Sequence, residues 1–159
     1  METPERVHHS LDGHAILLVE DNEDDVFMMK RAFRKASIPN PLFSVGDGVA
    51  ALEYLEGKGT YADRAKFPFP LIMFLDLNMP RKSGLEVIAY VRQQLTLRRV
   101  VINVLSSSTR TADIEGAASL GANAYFIKPT RIEKFQELIT TWYSLAKFEA
   151  FSANHQPAV

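Results

Sequence analysis

Five short, mostly apolar runs, each closed by charged, hydroxyl or glycine-bearing residues, alternate along the chain with five segments of helical periodicity. The runs are Ala15–Val19 before Glu20-Asp21-Asn22, Leu42–Val45 before Gly46-Asp47-Gly48, Leu71–Leu75 before Asp76, Val100–Leu105 before Ser106-Ser107-Ser108, and Ala124–Ile127 before Lys128-Pro129. Apolar runs this short, bounded by turn residues, read as strands, and the unbroken Ala15–Val19 run as one buried on both faces. The intervening segments Asp24–Ala36, Val49–Glu56, Leu85–Leu95, Thr111–Leu120 and Arg131–Phe148 read as helices. In the first, Val26, Met29, Ala32, Phe33 and Ala36 recur at helical spacing, with acids leading and bases trailing, as the helix dipole favours. Strict alternation implies an α/β domain: a parallel sheet, right-handed crossovers, helices on both faces, and ligands beyond the carboxyl ends of the strands. Only Gly57–Pro70, with two glycines and two prolines, reads as a loop that is long for a compact domain.

Composition narrows the function. The chain has 159 residues, 47% hydrophobic and 23% charged, which suits one folded domain with a real core. A formal net charge of −1 argues against bulk attraction to nucleic acid or an anionic membrane. Cysteine is absent, which excludes disulfides, thiolate metal sites and thiol nucleophiles. Met1–Gly13 is polar, without the apolar core of a signal peptide, and no apolar run approaches the ~20 residues of a membrane span. The expected organisation is therefore an N-terminal tail over 1–13, one domain over 14–148, a C-terminal tail over 149–159, no output domain, and a cytoplasmic setting. His8 and His9 read as solvated tail residues and His14 as a residue before a strand, rather than as a metal cluster.

The strand ends carry the chemistry. Glu20 and Asp21 close the first strand, Asp76 the third, Ser106 the fourth and Lys128 the fifth. Each alone has a plain structural reading: a helix cap, a turn former, a loop serine, a solvated lysine. Together they place three carboxylates, a hydroxyl and an ammonium on one edge of the sheet. Clustered carboxylates repel unless a cation neutralises them, and an oxygen-only donor set favours Mg²⁺. A carboxylate can attack phosphorus to form an aspartyl phosphate, whose oxygens a dication, an ammonium and a hydroxyl can stabilise. The Asp24-Asp25 pair reads as first-turn helix electrostatics rather than metal ligation.

From about Ala15 to Phe148 the chain resembles a response-regulator receiver domain. The resemblance is carried by Leu17-Leu18-Val19-Glu20-Asp21-Asn22, by Leu75-Asp76-Leu77-Asn78-Met79-Pro80 with Gly84, by Leu105-Ser106-Ser107-Ser108, and by Gly121-Ala122 leading to Tyr125 and Lys128-Pro129. It implies a single-domain (βα)5 flavodoxin-like fold with strand order 2-1-3-4-5. It implies Asp76 as phosphoacceptor, Asp21 as direct Mg²⁺ ligand, Glu20 as an indirect one, and the Asn78 carbonyl as another. Lys128 would pair with Asp76 or its phosphate, Ser106 and Tyr125 would form the switch, and Pro129 would follow a cis peptide. The switch hydroxyl is Ser where Thr is also common in the family. The long 57–70 loop, with Gly46-Asp47-Gly48 and Tyr54–Gly59, resembles the single-domain receivers that accompany bacterial phytochrome kinases.

The implied function is a phosphorelay protein, not an enzyme acting on other substrates. Its phosphoryl comes from a sensor histidine kinase, phytochrome-like by the same resemblance, and its signal passes to an unidentified downstream protein. A haloacid-dehalogenase-like phosphatase is the alternative, but it usually has a second Asp two residues past its nucleophile, where this chain has Asn78. A flavodoxin-like carrier is disfavoured by five acids within 20–25, which would repel a flavin phosphate. In the last helix Phe135, Leu138, Ile139, Trp142, Leu145 and Ala146 form a core-facing stripe. Phe148 and Phe151 fall off it and suggest a homodimer through the fifth strand, the last helix and those two rings.

Overall fold

A computed structural model describes residues 11 and 13–154, with side chains as far as Lys147. Five strands, β1 (Ala15–Val19), β2 (Leu42–Val45), β3 (Pro70–Leu75), β4 (Val101–Ser106) and β5 (Ala124–Ile127), form one parallel sheet in the order β2-β1-β3-β4-β5. Five helices connect and flank them: α1 (Glu23–Lys35), α2 (Gly48–Glu56), α3 (Gly84–Gln93), α4 (Thr111–Leu120) and α5 (Ile132–Asn154). This is the expected flavodoxin-like architecture.

Two cores lie against opposite faces of the sheet, as a parallel sheet requires. On one face Leu17, Val19, Met73, Leu75, Ile102 and Val104 pack with α2, α3 and α4. On the other, Ile16, Leu18, Ile72, Phe74 and Leu105 pack with α1 and α5. There Trp142 meets Phe74 edge-on, with ring centroids 4.8 Å apart. Leu11, within the segment read as tail, is buried in this second core.

Helices α1, α2 and α3 begin where polar side chains satisfy their free N–H groups. Asn22 accepts from the Asp24 and Asp25 N–H groups, so α1 starts at Glu23. Ser83 and Glu86 form a reciprocal capping box at α3. The long 57–70 loop contains a 3-10 turn at Gly59–Tyr61 and is far from loose. Its Tyr61 and Phe67 stack with Tyr54, and Arg64 donates to the carbonyls of Tyr54 and Leu55 (both 2.7 Å) at the end of α2.

The largest departure from expectation is α5, which continues to Asn154 rather than ending near Phe148. Lys147 to Ala150 contain no helix breaker, and the first proline beyond is Pro157. A helix of 23 residues is about 34 Å long, whereas β3, with six, spans about 20 Å. The helix thus outruns the sheet it covers. Leu145, placed by periodicity in the core stripe, is 59% exposed although Ala146 beyond it packs on the core, because it lies at the margin of the stripe centred on Phe135, Ile139, Trp142 and Tyr143. The side chains of Phe148 and Phe151 lie outside the described residues, as do His8 and His9. No helix among the described residues is long and apolar enough to cross a membrane.

Candidate functional site

The sheet holds the site's backbone in register one step past its strands. The Glu20 N–H donates to Val45 O (3.0 Å), the Asp76 N–H to Val19 O (3.0 Å), and the Lys128 N–H to Ser106 O (2.8 Å). Each of these residues is therefore positioned by the ladder rather than by a free loop. Gly84 permits a close approach from below: a Cβ there would stand 2.4 Å from the Asp76 carbonyl oxygen. The Gly84 N–H instead reaches Leu77 O at 2.9 Å, setting α3 directly against the turn that follows Asp76.

Glu20, Asp21 and Asp76 each offer a carboxylate oxygen within 4.8 Å of the others. Asp21 is exposed, but Glu20 is 4% exposed and Asp76 7%. The Lys128 ammonium, half-buried beside them, donates to Glu20 Oε2 (2.6 Å) and Asp25 Oδ2 (2.9 Å) and stands 3.7 Å from Asp76 Oδ2. Three carboxylates thus gather around one ammonium, with Asp21 beside two of them. The Asp76 Oδ1 accepts a long bond of 3.3 Å from the Asn78 N–H.

Electrostatics follow from this crowding. Burial pushes the Asp76 carboxyl above the usual carboxylate range, Lys128 and the Asn78 N–H oppose the rise, and Asp21 adds to it. Burial also raises Glu20, against the pull of Lys128 and the Asn22 N–H. For Lys128 burial works against the charge, but the bonds to Glu20 and Asp25 outweigh it and hold the ammonium above its ordinary value. Three acids crowded on one lysine, two of them resisting ionisation, fit a divalent cation. An all-oxygen donor set with an exposed side, where Asp21 lies, matches what Mg²⁺ takes.

Ser106 is fully buried, and its Oγ accepts from the Ser108 N–H at 3.2 Å. The Tyr125 hydroxyl donates to the Ser108 carbonyl at 2.9 Å, and the Ser108 hydroxyl bonds the Asp113 carboxylate. Ser106 and Tyr125 therefore meet through Ser108, a link that the sequence reading missed.

Glu20, Asp21, Asp76 and Lys128 come together at the carboxyl edge of the sheet, with one addition and one correction. Lys128 is held by Glu20 and Asp25 more closely than by Asp76, so Asp25 belongs to the site as well as to the first turn of α1. Its place in the first turn of α1, four residues after Asp21 at the same strand–helix junction, was the available signal. No cis peptide occurs among the described residues, so Lys128–Pro129 is trans. Trans is the lower-energy form of an X–Pro bond by about 0.5–1 kcal/mol, and the bonds of Lys128 to Ser106 and Glu20 are made without leaving it.

Comparison with known proteins agrees with this geometry. The family described as response regulator receiver domain matches residues 16–140. Response regulator Rcp1 of Synechocystis sp. is 32% identical over 124 residues, covering 78% of this chain and 82% of its own. Its Mn²⁺-bound crystal structure is similar with a TM-score of 0.75, at 30% identity over 82% of this chain and 92% of that one. A response regulator in red light signaling of R. palustris reaches a TM-score of 0.79 at 38% identity, over 83% of this chain and 92% of that one. The phosphorylated cyanobacterial phytochrome response regulator RcpA reaches 0.78 at 32% identity, over 84% and 93%. The comparisons lend no support to the phosphatase alternative. Strand order, the acidic edge and a family match spanning β1 to α5 agree: the chain belongs to the response regulator receiver family.

Proposed function

We propose that Asp76 is the phosphoacceptor of a two-component relay, charged by a sensor histidine kinase of the phytochrome type and read by a downstream protein. The observation that carries this is the state of Asp76 itself: buried at the end of a central strand, weakly hydrogen-bonded, and 3.7 Å from a charged lysine. A carboxylate oxygen of Asp76 attacks the phosphorus of a phosphohistidine. The P–N bond breaks, and the imidazole nitrogen keeps the electron pair. Water later attacks the same phosphorus, releasing inorganic phosphate and restoring the carboxylate.

Glu20, Asp21, Asp76 and the Asn78 carbonyl are the groups that would hold Mg²⁺, which when bound neutralises the carboxylates against the incoming phosphoryl. Lys128 stabilises the phosphoryl oxygens. The Ser106 hydroxyl turns toward them, and through Ser108 the change reaches Tyr125. The kinase type is supported by the relatives named for phytochrome and red-light signalling. A kinase donor implies a cytoplasmic setting. The net charge of −1 favours a protein target over nucleic acid. Exposed Ile127 on β5 and Leu145 on α5 support a contact between two copies along that face. Sedimentation of the wild type against Phe148→Ser/Phe151→Ser tests it, and a wild type monomeric at high concentration would end it.

The phosphoacceptor reading is tested with acetyl phosphate and intact mass. The wild type should gain one phosphoryl with Mg²⁺ present, and the rate should fall at least about tenfold in excess chelator or in Asp21→Asn. Undiminished uptake in chelator would overturn the proposed role of the acidic cluster.

A further inference from the structure

We propose that Asp25 is the resting counter-ion that phosphorylation must displace from Lys128, so that it governs how readily Asp76 is charged and ties that event to the first turn of α1. The inference rests on Asp76 being the phosphoacceptor. The Lys128 ammonium has three protons. One goes to Glu20 at 2.6 Å and one to Asp25 at 2.9 Å, while Asp76, at 3.7 Å, lies beyond hydrogen-bond reach. A charge-assisted bond to an oxygen on Asp76 needs about 2.7–2.9 Å. The ammonium must therefore move toward Asp76 by roughly 1 Å and give up part of its present coordination.

Of the two partners, Asp25 is the one that can yield. Glu20 is buried and fixed through both oxygens, one accepting the Asn22 N–H at 3.1 Å and the other Lys128 at 2.6 Å, so its carboxylate has no exposed side to turn to. The Asp25 side chain is 19% exposed, and Lys128 is the hydrogen-bond partner the structure gives its carboxylate. Once released, it can be hydrated. The first turn of α1 would remain folded, because Asn22 still caps the Asp24 and Asp25 N–H groups. What changes is the tie between α1 and the turn after β5: present in the unphosphorylated protein, it is lost when Lys128 turns to the phosphoryl. Asp25 thus opposes phosphorylation through Lys128 as a positioning residue, without touching the reacting atoms.

The test is the rate of phosphoryl uptake from acetyl phosphate at fixed Mg²⁺, followed by intact mass. It compares the wild type with Asp25→Asn, Asp25→Glu and Asp24→Asn. Asp25→Asn should charge about three- to tenfold faster. Asp25→Glu keeps the counter-ion and should follow the wild type. Asp24→Asn removes the same charge one residue away, where the side chain is exposed and does not meet Lys128, and should change the rate less than about twofold. An Asp25→Asn rate at or below that of the wild type overturns the proposal, and so does an equal acceleration by Asp24→Asn, which would reflect net charge alone. In both cases the wild type is charged and the phosphoacceptor reading survives. A wild type that takes up no phosphoryl on Asp76 overturns both.

Discussion

Asp47 and Asp76 both stand at the carboxyl edge of the sheet, in turns from a strand to a helix, yet their surroundings are opposite. The Asp47 carboxylate caps α2 through the Ala50 N–H at 2.8 Å and accepts from Arg81 Nε at 3.0 Å and from Arg81 Nη2. Burial is the largest single influence and opposes its ionisation, but those donors together prevail and hold it below the usual range. Asp76 has one long backbone bond and a lysine held by others, and burial holds it above the range. A carboxylate whose lone pairs are satisfied locally is a structural part. One left buried and underbonded is available to a reaction. The two are also joined: Arg81, with a left-handed φ of 64°, reaches from the turn after Asp76 to Asp47, so the structural turn braces the reactive one.

The largest effect expected from breaking this contrast is on phosphoryl uptake. Asp76→Asn should abolish it, whereas Asp47→Asn should leave it within about twofold of the wild type, since Asp47 meets no group at the reacting carboxylate. Endpoint intact mass after exposure to acetyl phosphate separates the two.

Stability should respond the other way. Asp47→Ala removes a helix cap, a loss of about 1 kcal/mol, and should lower Tm by about 2–4 °C. Asp76→Asn should raise Tm at neutral pH, because it removes a buried charge that the fold disfavours and leaves Lys128 paired with Glu20 and Asp25. The signs against pH differ as well. Asp47, with its folded pKa lowered, stabilises above its unfolded value of 3.8, and this is lost as pH falls through the folded value. For Asp76, with its folded pKa raised, the favourable contribution is present below 3.8 and lost as pH rises through the folded value. The stability advantage of Asp76→Asn over the wild type should therefore shrink between pH 7 and pH 4 in denaturant titrations, and an advantage that grows toward acid would contradict the assignment.

The smallest effect on phosphoryl uptake is expected at the switch. Tyr125→Phe deletes the bond to the Ser108 carbonyl and should cost about 0.5–1.5 kcal/mol in a thermal melt, with phosphoryl uptake retained. Ser106→Ala should likewise still accept phosphate but lose most of the phosphorylation-dependent change in partner affinity.

Much of this was legible in the sequence, for physical reasons. A strand buried on both faces leaves an unbroken apolar run, so β1 lies where its run lies, and the edge strands β2 and β5, only partly buried, still fall on theirs. Residues that end such runs must reach the same sheet edge, so Glu20, Asp21, Asp76, Ser106 and Lys128 could be grouped without coordinates. What was not legible depends on contacts across long sequence separation. Lys128 chooses among Glu20, Asp25 and Asp76, at 2.6, 2.9 and 3.7 Å, by differences in distance that no pattern encodes. Arg64 sealing the end of α2 depends on how an irregular loop folds back. The exposure of Leu145 follows from where the buried stripe of α5 is centred: buried Tyr143, outside the expected stripe, shifts that centre away from Leu145.

The most direct test of the contrast between the two aspartates is the location of the phosphoryl. After reaction with acetyl phosphate and Mg²⁺, borohydride reduction converts an aspartyl phosphate to homoserine, and peptide mass spectrometry finds it. With Asp76 as sole acceptor, homoserine appears at position 76 in the wild type and in Asp47→Asn, and nowhere in Asp76→Asn. Homoserine at any other position in the wild type, or a phosphoryl gained by Asp76→Asn, would contradict the assignment.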